Sequence, residues 1–225
     1  MRNRTVSTIP TPSRRRTERG VAALLLAATT LVATAAFAAT AEGPREVVQR
    51  LGDQVLAVLR DKSLSNDQKR ERILQIADQG VDFDTLSRLV LARNWSRFSP
   101  AEQVRFVQEF RKHLSVTYGK SVDSYKNETM SIIGDREEAR GDFTVKTKIL
   151  RGGGSDDILV DYRLRQTDGQ WKIIDFIVEG VSLVANFRSQ FQDLLSSDSP
   201  AQLIDLIHEK NEKGEAFPKA PGAPS

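Results

Sequence analysis

Residues 175–191, "DFIVEGVSLVANFRSQF", read as a strand that turns into a helix. Phe176 and Val178 point to one face of the strand and Ile177 to the other, so both faces are apolar. A half-solvated antiparallel strand alternates apolar with polar residues, so this one predicts cover on both sides. The pattern breaks at Glu179-Gly180. Glycine takes a positive φ without steric cost, and Ser182 is placed to cap the helix that follows. At about 100° per residue, Val181, Val184, Phe187, Phe191, Leu194 and Leu195 share one arc of that helix, and Arg188 falls inside it. A buried guanidinium without a partner is costly. Arg188 is therefore expected to pair with a carboxylate (Asp175 first), to reach the edge, or to meet an anionic ligand. Arg111 sits in the apolar stripe of an earlier helix in the same way.

Upstream, the second half of the chain alternates. Phe143, Val145, Thr147 and Ile149 face one way, and Ile158, Val160, Tyr162 and Leu164 repeat the pattern. Gly152-Gly153-Gly154-Ser155 and Thr167-Asp168-Gly169 are turn sequences. With residues 130–133 in front, this is a four-stranded antiparallel meander. The first half has helical spacing: Val47, Val48, Leu51, Val55, Val58 and Leu59. Ser65 and Gln68 form a capping box, Asp82 is a cap, and Ser99-Pro100-Ala101-Glu102 is a strong helix start. The long helix after it is expected to bury Val104, Val107, Phe110, Leu114, Tyr118 and Val122, with His113 opposite. Two further helices are expected near 182–196 and 200–210. The fold class is α+β: N-terminal helices, then a curved four-stranded antiparallel meander, and C-terminal helices, enclosing an apolar cavity. One domain is expected over residues 42–212, with a disordered Pro-, Gly- and Ala-rich tail over 213–225.

Residues 1–38 read as an export signal. Arg14, Arg15, Arg16 and Arg19 precede a short apolar stretch over 21–32, and Ala36-Phe37-Ala38 fits a signal-peptidase site; cleavage after Ala41 fits nearly as well. This segment holds six of the 33 Lys and Arg and one of the 30 acidic residues, so removing it turns the formal +3 slightly negative. No nucleic-acid footprint remains. The absence of cysteine excludes thiol catalysis, disulfides and a lipoprotein anchor. A periplasmic protein is expected.

Little in the sequence points to catalysis. The two histidines, His113 and His208, read as surface or rim residues. No HExxH, GxSxG or GxxxxGK[ST] pattern occurs, and no cofactor or metal is expected. Asp175 on its apolar strand is either a structural ion-pair partner or a base with a raised pKa in an apolar pocket.

The segment "WKIIDFIVEGVSLVANFRSQF" resembles the signature of the MlaC, or toluene-tolerance, family. Trp171, Lys172, Asp175, Glu179, Gly180, Val181, Ser182, Asn186, Phe187, Arg188 and Phe191 match its pattern. "LVLARNWSRFSPAEQVRFVQEF" resembles an earlier family segment, with Ala92 where glycine is usual. The resemblance implies a soluble periplasmic phospholipid carrier. Such a carrier shuttles lipid between an outer-membrane lipoprotein complex and an inner-membrane ABC transporter complex, as the transporter's binding component maintaining lipid asymmetry. It implies no enzyme activity and no catalytic residue. Periodicity then offers Leu114, Tyr118, Val145, Val160, Tyr162, Ile174, Phe176 and Val178 as tail-lining residues, with Val184 and Arg188 beside them. The alternatives are an isomerase or hydrolase using Asp175 as base, and a periplasmic chaperone for acyl chains.

Overall fold

The computed structural model describes residues 42–119, 122–123, 125, 127–151 and 156–217. The expected export signal, the turn over residues 152–155 and the end of the tail lie outside them. Among the described residues the order is α1 (Pro44–Arg60), α2 (Asn66–Gly80), α3 (Phe83–Leu91), α4 (Pro100–Gly119), β1 (Thr129–Glu137), β2 (Phe143–Leu150), β3 (Ile158–Thr167), β4 (Gln170–Val178), β5 (Val181–Ser182), α5 (Leu183–Ser197) and α6 (Pro200–Lys213). The class is α+β. The expected four strands become five because Val181 and Ser182 fold back on Val178 and Ile177.

The helix starts are set by local chemistry. Ser65 and Gln68 exchange both bonds of a capping box, as do Ser99 with Glu102 and Ser199 with Gln202. Asp82 accepts the Thr85 N–H at 2.8 Å and also the Thr167 hydroxyl, which ties the start of α3 to the end of β3. After α3, Ala92 takes φ 48° and ψ −122°, a conformation suited to glycine. Alanine holds this backbone at a cost in strain. Ala92→Gly is expected to raise stability by about 1 kcal/mol, read as a higher denaturation midpoint.

The sheet runs β1-β2-β3-β4-β5, every neighbour antiparallel. Both described tight hairpins have two consecutive positive-φ residues, Asp168-Gly169 and Glu179-Gly180, the arrangement that matches strand twist. Glu179 is an unusual residue for such a turn. It is held in place by Leu159, whose carbonyl accepts the Glu179 N–H at 2.9 Å and whose N–H donates to the Glu179 carboxylate. The sheet residues packed into the helical core, among them Ile132, Val145, Tyr162, Leu164, Ile173 and Phe176, share one face by register. Cover is expected on both faces of β4; helices pack on this one, and on the other Ile177 is only half-buried. A bulge where Arg163 opposes Asp175 and Leu164 opposes Ile173 shifts its alternation. Ile174 is buried at this bulge, and Ile177 is half-buried on the outer face.

α3, α4, α5 and α6 close over a phenylalanine cluster. Phe98, Phe106, Phe110, Phe187, Phe191 and Phe217 are all buried and in ring contact. This corrects the expected face of α4. Phe106, Phe110, His113 and Leu114 point inward, while Val104 and Tyr118 are exposed and the helix ends at Gly119. The packed chain also passes the boundary expected at 212: Gly214 caps α6 in the left-handed region, and Phe217 docks on His113 and Phe191.

His113 is 0% exposed and not the surface or rim residue expected; His208 is on the surface. The His113 imidazole bonds Asn211 Oδ1 through Nδ1 at 2.9 Å and the Thr117 hydroxyl through Nε2 at 3.3 Å. Burial holds its pKa below 6.5, and the Lys210 charge acts the same way against the Asn211 bond. On acidification the unfolded chain takes up this proton before the folded one does. The stability contribution is thus complete above 6.5 and is lost as pH falls toward the folded pKa. Urea unfolding at about pH 7.5 and about pH 5.5 should show a larger acid-side loss in the native protein than in His113→Gln.

Candidate functional site

Two adjacent rows cross the helix-facing side of the sheet. Val145, Tyr162 and Phe176 are directly paired, and so are Ile132, Thr147, Val160 and Val178. Five of the lining candidates, Val145, Val160, Tyr162, Phe176 and Val178, come together here. Ile132 and Thr147 complete the second row. They were not among the candidates, although pairing the strands in register points to them. Thr147 is buried and donates its hydroxyl to the Val160 carbonyl at 2.8 Å, which satisfies it within the sheet. The Tyr162 and Phe176 rings meet edge to face at 5.7 Å.

These rows are incompletely covered. Val145 is 0% exposed, but Tyr162 and Phe176 within β3 and β4, Val160 near the start of β3 and Val178 at the end of β4 are only half-buried. The surroundings still raise the pKa of the Tyr162 phenol, with desolvation as the main cause and a Thr147 hydrogen bond opposing it. The helices beside this region are loosely packed. Val55, Val58 and Leu59 of α1 are half-buried, and α2 buries no side chain, only Gly80 against Leu51. α2 packs Ile76 and Ala77 against the core and is also held by polar links: a fork from Arg111 to Asp78, Lys172 to the Gln79 carbonyl at 2.6 Å, and Arg70 to Asp123 at 2.7 Å. Arg111 is thus a structural ion-pair residue.

The remaining candidates are dispersed. Leu114 on α4 and Val184 at the start of α5 are buried in the helical core. Tyr118 is 46% exposed at the end of α4, and burial on its other side raises its pKa. Ile174 is buried at the β4 bulge. Among the described residues Arg188 pairs with neither Asp175 nor any other carboxylate. Its Nε and Nη2 donate to the Leu89 carbonyl at 2.9 and 2.6 Å, closing the C-terminal end of α3, where carbonyls lack helical partners and the dipole favours a cation.

Asp175 has a different set of partners. It is 6% exposed and accepts the Ser182 hydroxyl at 2.6 Å and the Val184 N–H at 3.0 Å. Desolvation raises its pKa, against these bonds and the Arg163 charge. The geometry pins β4 to β5 and to the start of α5. Asp175→Ala should cost about 2–4 kcal/mol, since it strips partners from buried donors, while Asp175→Asn should cost less than half of that in chemical denaturation.

Among the described residues, two of the surface clefts lie beside α1. One of about 430 Å³ is lined by Phe143, Trp171, Glu137 and Glu138. The other, of about 830 Å³, runs between α1 and β1 over Met130 and Ile132. Neither is the closed apolar chamber expected. Among the described residues no cluster of His, Cys, Asp and Glu is arranged to hold a metal, and no helix is long and apolar enough to cross a membrane.

Comparison with known proteins is consistent with this geometry. The family model described as MlaC protein matches residues 49–209. The toluene tolerance protein ttg2D of Pseudomonas putida is 28% identical over 173 residues, covering 73% of this chain and 80% of its own length. The intermembrane phospholipid transport system binding protein MlaC of Haemophilus influenzae is 20% identical over 132 residues, covering 57% of this chain and 62% of its own. A phospholipid-binding protein from Ralstonia solanacearum, solved in complex with a phospholipid, has a TM-score of 0.66 at 24% identity, covering 75% of this chain and 96% of that one. That likeness establishes the fold.

Proposed function

The chain belongs to the MlaC family, and from this premise we propose that it is a phospholipid carrier that holds acyl tails against the half-covered sheet rows. The observation that carries this reading is the contrast within one interior. The phenylalanine cluster is closed, while Tyr162, Phe176, Val160 and Val178 remain partly open. A hydrophobic sheet face left partly solvated is unfavourable unless a ligand covers it. A two-chain lipid has about thirty methylenes, and at ~0.8 kcal/mol each their exposure costs on the order of 20 kcal/mol. A carrier must shield that surface to cross water. The names of the relatives support the same ligand class.

Export through the leader would place the carrier in the periplasm. There it would accept lipid at an outer-membrane lipoprotein complex and release it at an inner-membrane ABC transporter, or run the reverse course. No nucleophile or metal is needed for this role. Asp175, the candidate base, has its oxygens engaged by Ser182 and Val184.

The test is uptake. Delipidated protein is incubated with vesicles carrying a fluorescent phospholipid and separated by gel filtration. Saturable transfer to the protein peak is expected; folded protein that takes up none contradicts the proposal.

A further inference from the structure

Phe217 is the buried anchor of an otherwise exposed segment. Residues 212–216 are exposed, and the bond from the Glu215 N–H to the Lys210 carbonyl, at 2.9 Å, is the last backbone bond of the segment among the described residues. Beyond it the Phe217 ring holds the chain down. The ring packs on His113 at 4.9 Å and on Phe191 at 5.4 Å, and Lys210 Nζ lies over it at 5.2 Å.

The seat under this ring suits a neutral imidazole. Asn211 Nδ2 donates to the Glu109 carbonyl and carboxylate, both at 2.9 Å, so Asn211 Oδ1 is left to accept from His113 Nδ1. His113 Nε2 is then the acceptor of the Thr117 hydroxyl. A second proton displaces that donor and puts a charge where no carboxylate touches the ring. On α4, Glu109 is taken up by Asn211 and His208, and Lys112 by Glu212. On α6, Lys210 repels the charge and is itself paired with Glu215 at 3.7 Å. α5 presents the Phe187 ring. Burial, with the Lys210 charge, holds the pKa below 6.5 while the segment is docked. With Phe217 lifted, water reaches the imidazolium and the pKa returns toward that value.

We propose that residues 214–217 form a strap that acid unlatches, with Phe217 as the latch and His113 as its proton-sensitive seat. Below 6.5 the open state takes up the proton before the closed one. The open-to-closed ratio is flat above 6.5, rises by up to about tenfold per pH unit below it, and levels off below the closed-state pKa. Phe106, Phe110, Phe187 and Phe191 still touch one another when the strap lifts, so opening is local and precedes unfolding.

The test places para-fluorophenylalanine at Phe217 in the full exported chain and follows it by fluorine NMR. A soluble gadolinium chelate broadens the signal of an exposed ring. Broadening is expected to increase between about pH 7.5 and about pH 5 while circular dichroism is unchanged. His113→Gln should abolish this pH dependence, and His208→Gln, at the surface end of the same chain of bonds, should keep it. A ring that stays protected until circular dichroism is lost overturns the proposal. So does opening that is unchanged in His113→Gln or that disappears in His208→Gln. A second measurement does not need the His113 variant to fold. The His113 imidazole, titrated by NMR, is expected to move toward 6.5 in Phe217→Ala; an unchanged titration overturns the proposal as well.

Discussion

Val178→Asp will strip the protein of lipid, and Ile177→Asp will not. The two residues are adjacent on β4 and point to opposite faces. Val178 lies in the row with Val160 and Thr147, and Ile177 opposes Asp161 on the outer face. A carboxylate at 178 would have to lie among acyl chains without a partner, which costs several kcal/mol. Retention is expected to fall about a hundredfold or more, equivalent to ~2.7 kcal/mol. At 177 the new charge faces Asp161 and costs the sheet up to ~1 kcal/mol, with no effect on lipid. Lipid per folded chain, with circular dichroism as the control, checks both. If Ile177→Asp is the variant that loses lipid, the ligand face has been assigned to the wrong side of the sheet.

Phe110→Ala will have the opposite profile, a large loss of stability with lipid retained. Phe110 is 0% exposed and touches Phe106, Phe187 and Phe191, with ring centroids 5.5, 5.0 and 5.6 Å away. Emptying that position should cost about 3–5 kcal/mol. For a protein of this size the thermal midpoint should fall by roughly 10 °C or more. The rings that touch Phe110 come from Phe106, Phe187 and Phe191 and not from the sheet rows, so lipid per folded molecule should stay close to that of the native protein. A matching loss of lipid would mean that tails reach the phenylalanine cluster.

What could be read in the sequence was mostly local. The Ser65, Ser99 and Ser199 caps need only a hydroxyl and a partner three residues on, and Asp168-Gly169 has its turn written in two residues. Which face of α4 is buried could not be read in this way. Phe110 and Leu114 are buried as expected, but Val104 and Tyr118 fit helical spacing about as well as Phe106 and His113, and only the rings arriving from α5 and the chain end decide between them. Arg188 was recognisable as a cation in an apolar arc, but its acceptor is the main-chain carbonyl of Leu89, which no side-chain pattern reveals. Ile174 was misplaced because one bulged residue shifts the alternation of a strand. That the sheet candidates share one face follows from register once a hairpin is fixed. Ile132 and Thr147 could have been added by pairing β1 and β2 with the rest.

The most direct measurement is the content of the protein as the cell makes it. The chain is exported to a bacterial periplasm, purified without detergent, extracted with organic solvent, and the extract identified by mass spectrometry. Near-stoichiometric diacyl phospholipid is the expected result. A folded protein that yields no free lipid, or that comes out bound only to acylated protein, would contradict the assignment as a phospholipid carrier.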